Sequence, residues 1–384
     1  MEELPGKKVK LAIFYQMSES WANVRTVWKA ASTDPQVDVL VVVMPFIHAS
    51  YEWRSDAVES YLQGESVPYV LWQNFDISTA GIDVVFFTSP YDSTRLVEYQ
   101  FTNVKKHVRY TAYIPYGIEI GGGEFDLRLQ YGEPAAKDSD FVFVRSESLK
   151  EMYRKHCPSG DRHVVVSGYP RFDELANFND FTIDPELLGR IGERLPVLWN
   201  THFTFDVVQW STFDLLGMDI VSWFAQRPQF ALIFRPHPLL WRRLKSAFNF
   251  TDADVMALKK ELSDLGIIVD ERADSRHVFA ASKALISDVG SFLMDYLVTG
   301  KPILYLRDPL GLGLNEEGDE LVSNFGKAET IGEVGIFLSE LELGEDPYRE
   351  KRLAAIPRFV CQQDGFTGQR IVEHVKAVVL GGGR

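Results

Sequence analysis

ALISDVGSFLMDYLVTGKPILYLRD, residues Ala284–Asp308, decides how the rest of the chain is read. It parses as a buried strand (Ala284 to Ser287), a short loop (Asp288 to Gly290), a helix (Ser291 to Thr299) and a second strand (Ile303 to Leu306). The first turn of a helix leaves its N–H groups without partners in the helix, and these groups favour an anion. Asp295 stands four residues past Ser291, on the same side of that helix. The pattern suits a nucleotide, with the pyrophosphate at the helix start and the ribose hydroxyls on Asp295. An ordinary strand–helix–strand unit with Ser291 as N-cap has the same local pattern.

The chain around this stretch has 384 residues, long enough for two domains. Hydrophobic residues make up 46% and aromatics 13%, enough for sizeable cores. A net charge of −14 argues against a nucleic-acid partner, which would need a basic face. Two cysteines, Cys157 and Cys361, are too few for a disulfide framework and favour a reducing cytoplasm. The polar start, Met1–Lys10, is no signal peptide, and apolar runs such as VDVLVVVMPF are too short to cross a bilayer.

Working outward, the first half alternates apolar strands with amphipathic segments. Val9–Tyr15, Val37–Met44, Val67–Leu71, Val84–Thr88, Thr111–Ile114, Phe141–Val144 and His163–Ser167 read as strands, with a helix near Ser20–Ala31. Continuous Val, Ile and Phe runs imply strands covered on both faces, hence a mostly parallel sheet. Gly117–Ala136, rich in glycine and charge, reads as a loop. After a break near Gly168–Pro196 a second series begins, with strands at Val197–Asn200, Ala231–Phe234 and Ile267–Val269 and helices at Ser211–Gln226 and Ser275–Ser282. Thr367–Val379 reads as a final amphipathic helix. The expected class is α/β, with two Rossmann-like domains facing across a cleft: residues 1–175, residues 176–365, and a terminal helix and tail over 366–384. In open sheets of this kind ligands sit at the carboxyl ends of the strands.

A second cluster, Phe234-Arg235-Pro236-His237-Pro238, stands at such an end. Strand alternation would put Arg235 and His237 on one side, where a cation and an imidazole suit a diphosphate. The alternative is a turn with a structural histidine and a surface arginine. Asn200-Thr201-His202 occupies the matching place on the domain's first strand, and two histidines at adjacent strand ends point to one shared site. No His/Cys spacing indicates a metal, and no cofactor motif is present.

With these residues in view, the second domain resembles the CDP-glycerol glycerophosphotransferase family, the teichoic-acid and capsule polymerases and primases. The shared pattern is Arg235-Pro236-His237-Pro238, then Ser287-Asp288-Val289-Gly290-Ser291 with Asp295, then Lys301-Pro302. Asn200-Thr201-His202-Phe203-Thr204, Ser211-Thr212-Phe213, Tyr113-Ile114-Pro115-Tyr116-Gly117 and Gly168-Tyr169-Pro170-Arg171-Phe172-Asp173 are similar to further family elements. The resemblance implies the GT-B fold, with His237, Ser291 and Asp295 on the nucleotide diphosphate and ribose. Tyr116 takes the place of a family histidine that is the expected base, and Gly290 that of a serine. A tyrosine, with a pKa near ~10, is a poor base at neutral pH, so either the base is His202 or an acid such as Glu119, or the donor differs.

The resulting expectation is a cytoplasmic transferase that moves glycerol phosphate from a CDP-linked donor to a hydroxyl of a glycan or polyol-phosphate acceptor. Its nucleotide-binding residues would be Arg235, His237, Asp288, Gly290, Ser291 and Asp295, and its catalytic residues His202, His237 and Tyr116. An acceptor of that kind would bring the enzyme to the inner face of the membrane as a peripheral protein. The alternatives are a nucleotide-sugar glycosyltransferase or epimerase of the same fold, and a non-catalytic scaffold.

Overall fold

Strands made of continuous Val, Ile and Phe need cover on both faces, and this chain provides it around two separate parallel sheets. The computed structural model describes residues 8–47, 53, 55–115, 117–118, 120–175, 181, 183–206, 208–272 and 274–381. The first sheet comprises β1 (Val9–Tyr15), β2 (Val37–Val43), β3 (Tyr69–Leu71), β4 (Val84–Phe87), β5 (Tyr110–Tyr113), β6 (Phe141–Val144) and β7 (Val164–Val166). The second comprises β8 (Leu195–Thr201), β9 (Phe230–Pro236), β10 (Ile268–Val269), β11 (Ala284–Ser287), β12 (Ile303–Leu306) and β13 (Gly326–Ala328). Their orders are β3-β2-β1-β4-β5-β6-β7 and β10-β9-β8-β11-β12-β13. Every strand pair is parallel, with β8 running beside β9 from Leu195↔Phe230 to Thr201↔Pro236. In each sheet the order reverses at the first strand, β1 or β8. That reversal leaves a crevice at the strands' carboxyl ends, the usual place for a ligand.

Two compact units carry these sheets. One is Met1–Gly117, Phe125–Ala176 and Pro357–Arg384; the other is Ile118–Glu124 and Asn177–Ile356. The final helix, Thr367–Gly381, is therefore built into the first unit, where it packs on the helix Arg25–Thr33. Gly368 makes this possible, because a Cβ there would lie 2.2 Å from the backbone of Thr26. Asp173 caps the same helix from a distance, accepting hydrogen bonds from the N–H groups of Thr367 and Gly368, each at 3.0 Å, and from Thr26 Oγ1 at 2.8 Å. That contact gives the Gly168–Asp173 segment a physical task in the first unit.

Some expected elements differ. Gly117–Ala136 is not a plain loop: it contains the helix Glu124–Tyr131 and the start of the helix Pro134–Asp138. Tyr131, Ala135 and Ala136 are fully buried in the first core, so a few apolar side chains order a charged stretch. The helix near Ser20–Ala31 breaks at Val24, separating a 3-10 turn (Ser18–Asn23) from Arg25–Thr33. The helix expected over Ser291–Thr299 is only Phe292–Leu297. Its end is shortened by the turn to Gly300, which has φ +67°.

Candidate functional site

The second sheet brings together the residues that follow β8, β9 and β11, the three strands around its reversal point. Asp288, just past β11, is fully buried. Its Oδ1 accepts a hydrogen bond from the backbone N–H of His202 at 2.6 Å, and its Oδ2 accepts from the N–H of Thr212 at 2.9 Å and from the Thr212 hydroxyl at 3.3 Å. Asp288 thus ties the loop after β8 and the start of the helix Phe213–Ala225 to the end of β11. Burial pushes its carboxyl up to about 8, against the pull of the Thr212 and His202 donors. On the other side of β8, Asn200 Nδ2 donates to the Arg235 carbonyl at 2.8 Å, and His237 N–H donates to the Thr201 carbonyl at 3.1 Å.

The two histidines are held alike. The N–H of Thr204 donates to His202 Nδ1 at 3.3 Å, and the N–H of Leu239 donates to His237 Nδ1 at 3.1 Å. A backbone N–H can only donate, so both Nδ1 atoms are acceptors and each neutral ring carries its proton on Nε2. The Thr204 hydroxyl, 2.9 Å from His202 Nδ1, accepts from the N–H of Trp210 at 3.3 Å and is free to donate to the ring. The ring centroids of His202 and His237 are 5.6 Å apart, and Phe203 lies 4.4 Å from the first and 4.3 Å from the second. Trp210 closes edge-on against His202 at 5.3 Å. Burial lowers the pKa of His237 to about 4. Burial, and then the neighbouring His237, takes His202 well below the ordinary histidine value. Both rings are therefore neutral at pH 7, and each has an Nε2–H that no acceptor among the described residues takes.

The remaining expected residues divide. Arg235 does turn toward the helix start: its guanidinium lies 5.9 Å from the ring of Phe292. It is also ion-paired with Asp270 and donates to the Arg272 carbonyl at 2.5 Å. Asp270 receives Arg272 Nε at 2.7 Å and His277 Nε2 at 3.1 Å as well. Burial pushes Asp270 up, but the His277 hydrogen bond, the Arg235 charge and the Arg272 hydrogen bond outweigh it and hold the carboxyl at about 2. Ser291 is half-buried at the helix start and does not cap the helix with its side chain. Gly290 has open space beside it: a Cβ there would meet only Asn200 Oδ1, at 3.8 Å. Asp295 has no exposed surface in the ligand-free protein. Tyr116 and Glu119 lie outside the described residues.

Sequence reasoning gave no task to Thr204, Trp210, Thr212 or Asp270, although the hydroxyl-rich stretches after β8 were a signal for the first three. Lys301 also gains a role: its ammonium group donates to the carbonyls of Phe279 (2.7 Å), Ala280 (3.3 Å) and Ser282 (2.7 Å), capping the carboxyl end of the helix Arg276–Ala281. Among the described residues no group of three His, Cys, Asp or Glu side chains could hold a metal ion, and no helix is long and apolar enough to cross a membrane.

Against known proteins, a sequence model of the family described as CDP-Glycerol:Poly(glycerophosphate) glycerophosphotransferase matches residues 130–377. A search of curated protein sequences finds no significant match. Among solved structures, the UDP-GlcNAc 2-epimerase of Neisseria meningitidis bound to UDP-GlcNAc is similar with a TM-score of 0.64, at 16% identity over 96% of this chain and 100% of that one. The S. aureus MnaA–UDP complex is similar with a TM-score of 0.65, at 13% identity over 97% of each chain. A variant of the wall teichoic acid polymerase TagF soaked with CDPG gives 0.60, at 14% identity over 98% of this chain and 90% of that one. These likenesses carry the fold: two parallel-sheet α/β domains of the GT-B type.

Proposed function

Because the chain belongs to the CDP-glycerol:poly(glycerophosphate) glycerophosphotransferase family, we propose that it transfers glycerol phosphate from a CDP-linked donor to a hydroxyl of a teichoic-type or other cell-surface polymer. The observation that carries the placement of the donor is the pair of neutral imidazoles after β8 and β9, each locked with Nε2–H as a donor. They stand beside the loop that leads into the helix at Phe292.

In this reading the acceptor oxygen attacks the phosphorus that carries glycerol. The bond from that phosphorus to the bridging oxygen breaks, and CMP leaves with the electron pair. Negative charge grows on the leaving phosphate, where N–H donors held ready in a partly buried site are most effective. The Nε2–H groups of His202 and His237, the Arg235 guanidinium and the backbone N–H groups at Gly290 and Ser291 are the donors. Asp288 holds His202 in place by accepting from its backbone N–H. The hydroxyl proton passes to a carboxylate, the other base candidate being Glu119, because the Nδ1 lone pairs of both imidazoles are already engaged. A membrane-linked acceptor would bring the enzyme to the inner face of the membrane.

The test is a thermal-shift comparison of CDP, CMP, UDP and GDP, followed by CMP release from CDP-glycerol. Cytidine nucleotides should raise the melting temperature through mass action on the folded state. A UDP shift well above that of CDP would refute the cytidine donor and favour a nucleotide-sugar enzyme of the same fold.

A further inference from the structure

The second unit has a cavity of about 170 Å³ that the transfer reaction does not use. It opens near the amino ends of β12 and β13, whereas the candidate site lies at carboxyl ends. Its interior is apolar, built from Ile303, Leu304, Phe337 and Leu341. Gly326 lets the walls approach: a Cβ there would stand 3.2 Å from Leu304 Cδ1 and 3.8 Å from Phe337 Cδ2.

The rest of the lining is mostly acidic, from Glu333, Glu340, Glu345 and Asp346, against Lys327 and Arg352. Two of these carboxylates are occupied. Glu333 Oε2 closes a capping box with Thr330 at 3.0 Å, and Asp346 is paired with Arg352. Arg352 is fully buried and also donates to the Gly300 carbonyl at 2.9 Å, so its charge is neutralised inside the protein. Glu340 and Glu345 form no ion pair among the described residues. At the mouth, Ile336 is 62% exposed and Tyr348 39%, a pair of apolar surfaces that water covers in the free protein.

We propose that this cavity receives a basic side chain, flanked by apolar residues, from a partner protein. The apolar interior takes the methylene stem, Glu340 and Glu345 meet the charged end, and Ile336 and Tyr348 cover the flanking residues. Charge complementarity sets the partner's chemistry: the free charge at the mouth is negative, on a chain whose net charge is −14. A nucleotide or an anionic lipid surface would be repelled.

The probe is acetyl-Leu-Arg-Leu-amide, titrated calorimetrically into the full chain beside acetyl-Leu-Glu-Leu-amide and free agmatine. The arginine peptide should bind, more weakly at high salt, and the glutamate peptide should not. Glu340→Gln with Glu345→Gln should weaken binding by about threefold to tenfold, the range for two partly exposed charge contacts. The same double variant should leave CMP release unchanged, so failure here is distinguishable from failure of the transferase reading. Gly326→Val, which fills the cavity, should abolish binding if it folds. No arginine-peptide binding, or equal binding by the double variant, overturns the proposal. Agmatine binding as tightly as the peptide would make this a small-cation site and overturn the partner.

Discussion

Replacing His202 by glutamine and, separately, by alanine distinguishes a donor from a base. In the structure the ring accepts from Thr204 through Nδ1 and carries its proton on Nε2. Glutamine offers an amide N–H at a reach close to that of Nε2, but it has no usable basic lone pair at neutral pH. A hydrogen bond to a charged phosphate is worth about 1.5–3 kcal/mol, or roughly 10- to 150-fold in rate when it acts in the transition state. His202→Ala should therefore lower kcat/KM for the CDP-linked donor by about a hundredfold, whereas His202→Gln should stay within about tenfold of wild type. Loss of a general base typically costs about 10²–10⁴, and glutamine would not restore it. The pH profile gives a second reading. Burial holds both imidazoles neutral, His237 down to about 4, so neither produces an acid limb between pH 6 and 7. The assay is CMP release from CDP-glycerol between pH 5 and 8, with circular dichroism to confirm folding. Equal inactivity of the two variants, together with a wild-type limb near pH 6.5 that His202→Gln removes, would refute the donor role.

Other outcomes are equally specific. Gly290→Ser should leave the melting temperature and nucleotide affinity nearly unchanged, because its Cβ meets only Asn200 Oδ1 at 3.8 Å; a collapse of either measurement would show that the loop needs glycine. Lys301→Met should cost about 2–4 kcal/mol in urea unfolding, since three carbonyls at the end of the helix Arg276–Ala281 lose a charged donor. The stability that His237 contributes should fall as pH drops from about 6.5 to 4, because its ring, held at about 4 when folded, leaves the unfolded chain binding more protons throughout that window. The buried Asp288 carboxyl, pushed up to about 8, acts in the opposite direction over the same range. The measurement is therefore the difference in unfolding free energy between wild type and His237→Gln, which should change by about 1–2 kcal/mol across the window, partial exposure of the ring limiting it. Asp288→Asn presents an amide N–H to one of two backbone donors, so unfolding should cost about 1–3 kcal/mol less, with His202 loosened as well.

Strong periodic signals were legible in the chain. The strands at Val9–Tyr15, Phe141–Val144, Ala284–Ser287 and Ile303–Leu306 have the expected bounds, because each is built on a short apolar run flanked by polar or turn residues. The edge strand β13 was not legible: three residues with Lys327 exposed in the middle carry no periodicity. Nor were the helices within Gly117–Ala136, whose order depends on the burial of Tyr131, Ala135 and Ala136 against residues distant in sequence. At the candidate site, residue types and strand-end positions identified His202, His237 and Asp288. Their hydrogen-bond roles were hidden, because a tautomer is set by a backbone N–H two residues away and Asp288 is committed by Thr212, far off in the chain. Alternation placed Arg235 beside His237, but nothing in the sequence showed that the carboxylate of Asp270, beyond β10, would pair with its guanidinium.

The return of the final helix to the first unit has a consequence for biosynthesis. The ribosome delivers a chain from its amino end, and domains condense as they emerge. Every residue of the second unit precedes Pro357, so that unit can close while the first still lacks Thr367–Gly381. Until then Asp173 has no helix to cap, and Thr26 and its helix face water where Gly368 should lie. The domain begun first is thus the last to be finished. A chain truncated just short of Pro357 and released from the ribosome should show a protease-resistant second unit beside a digestible first one.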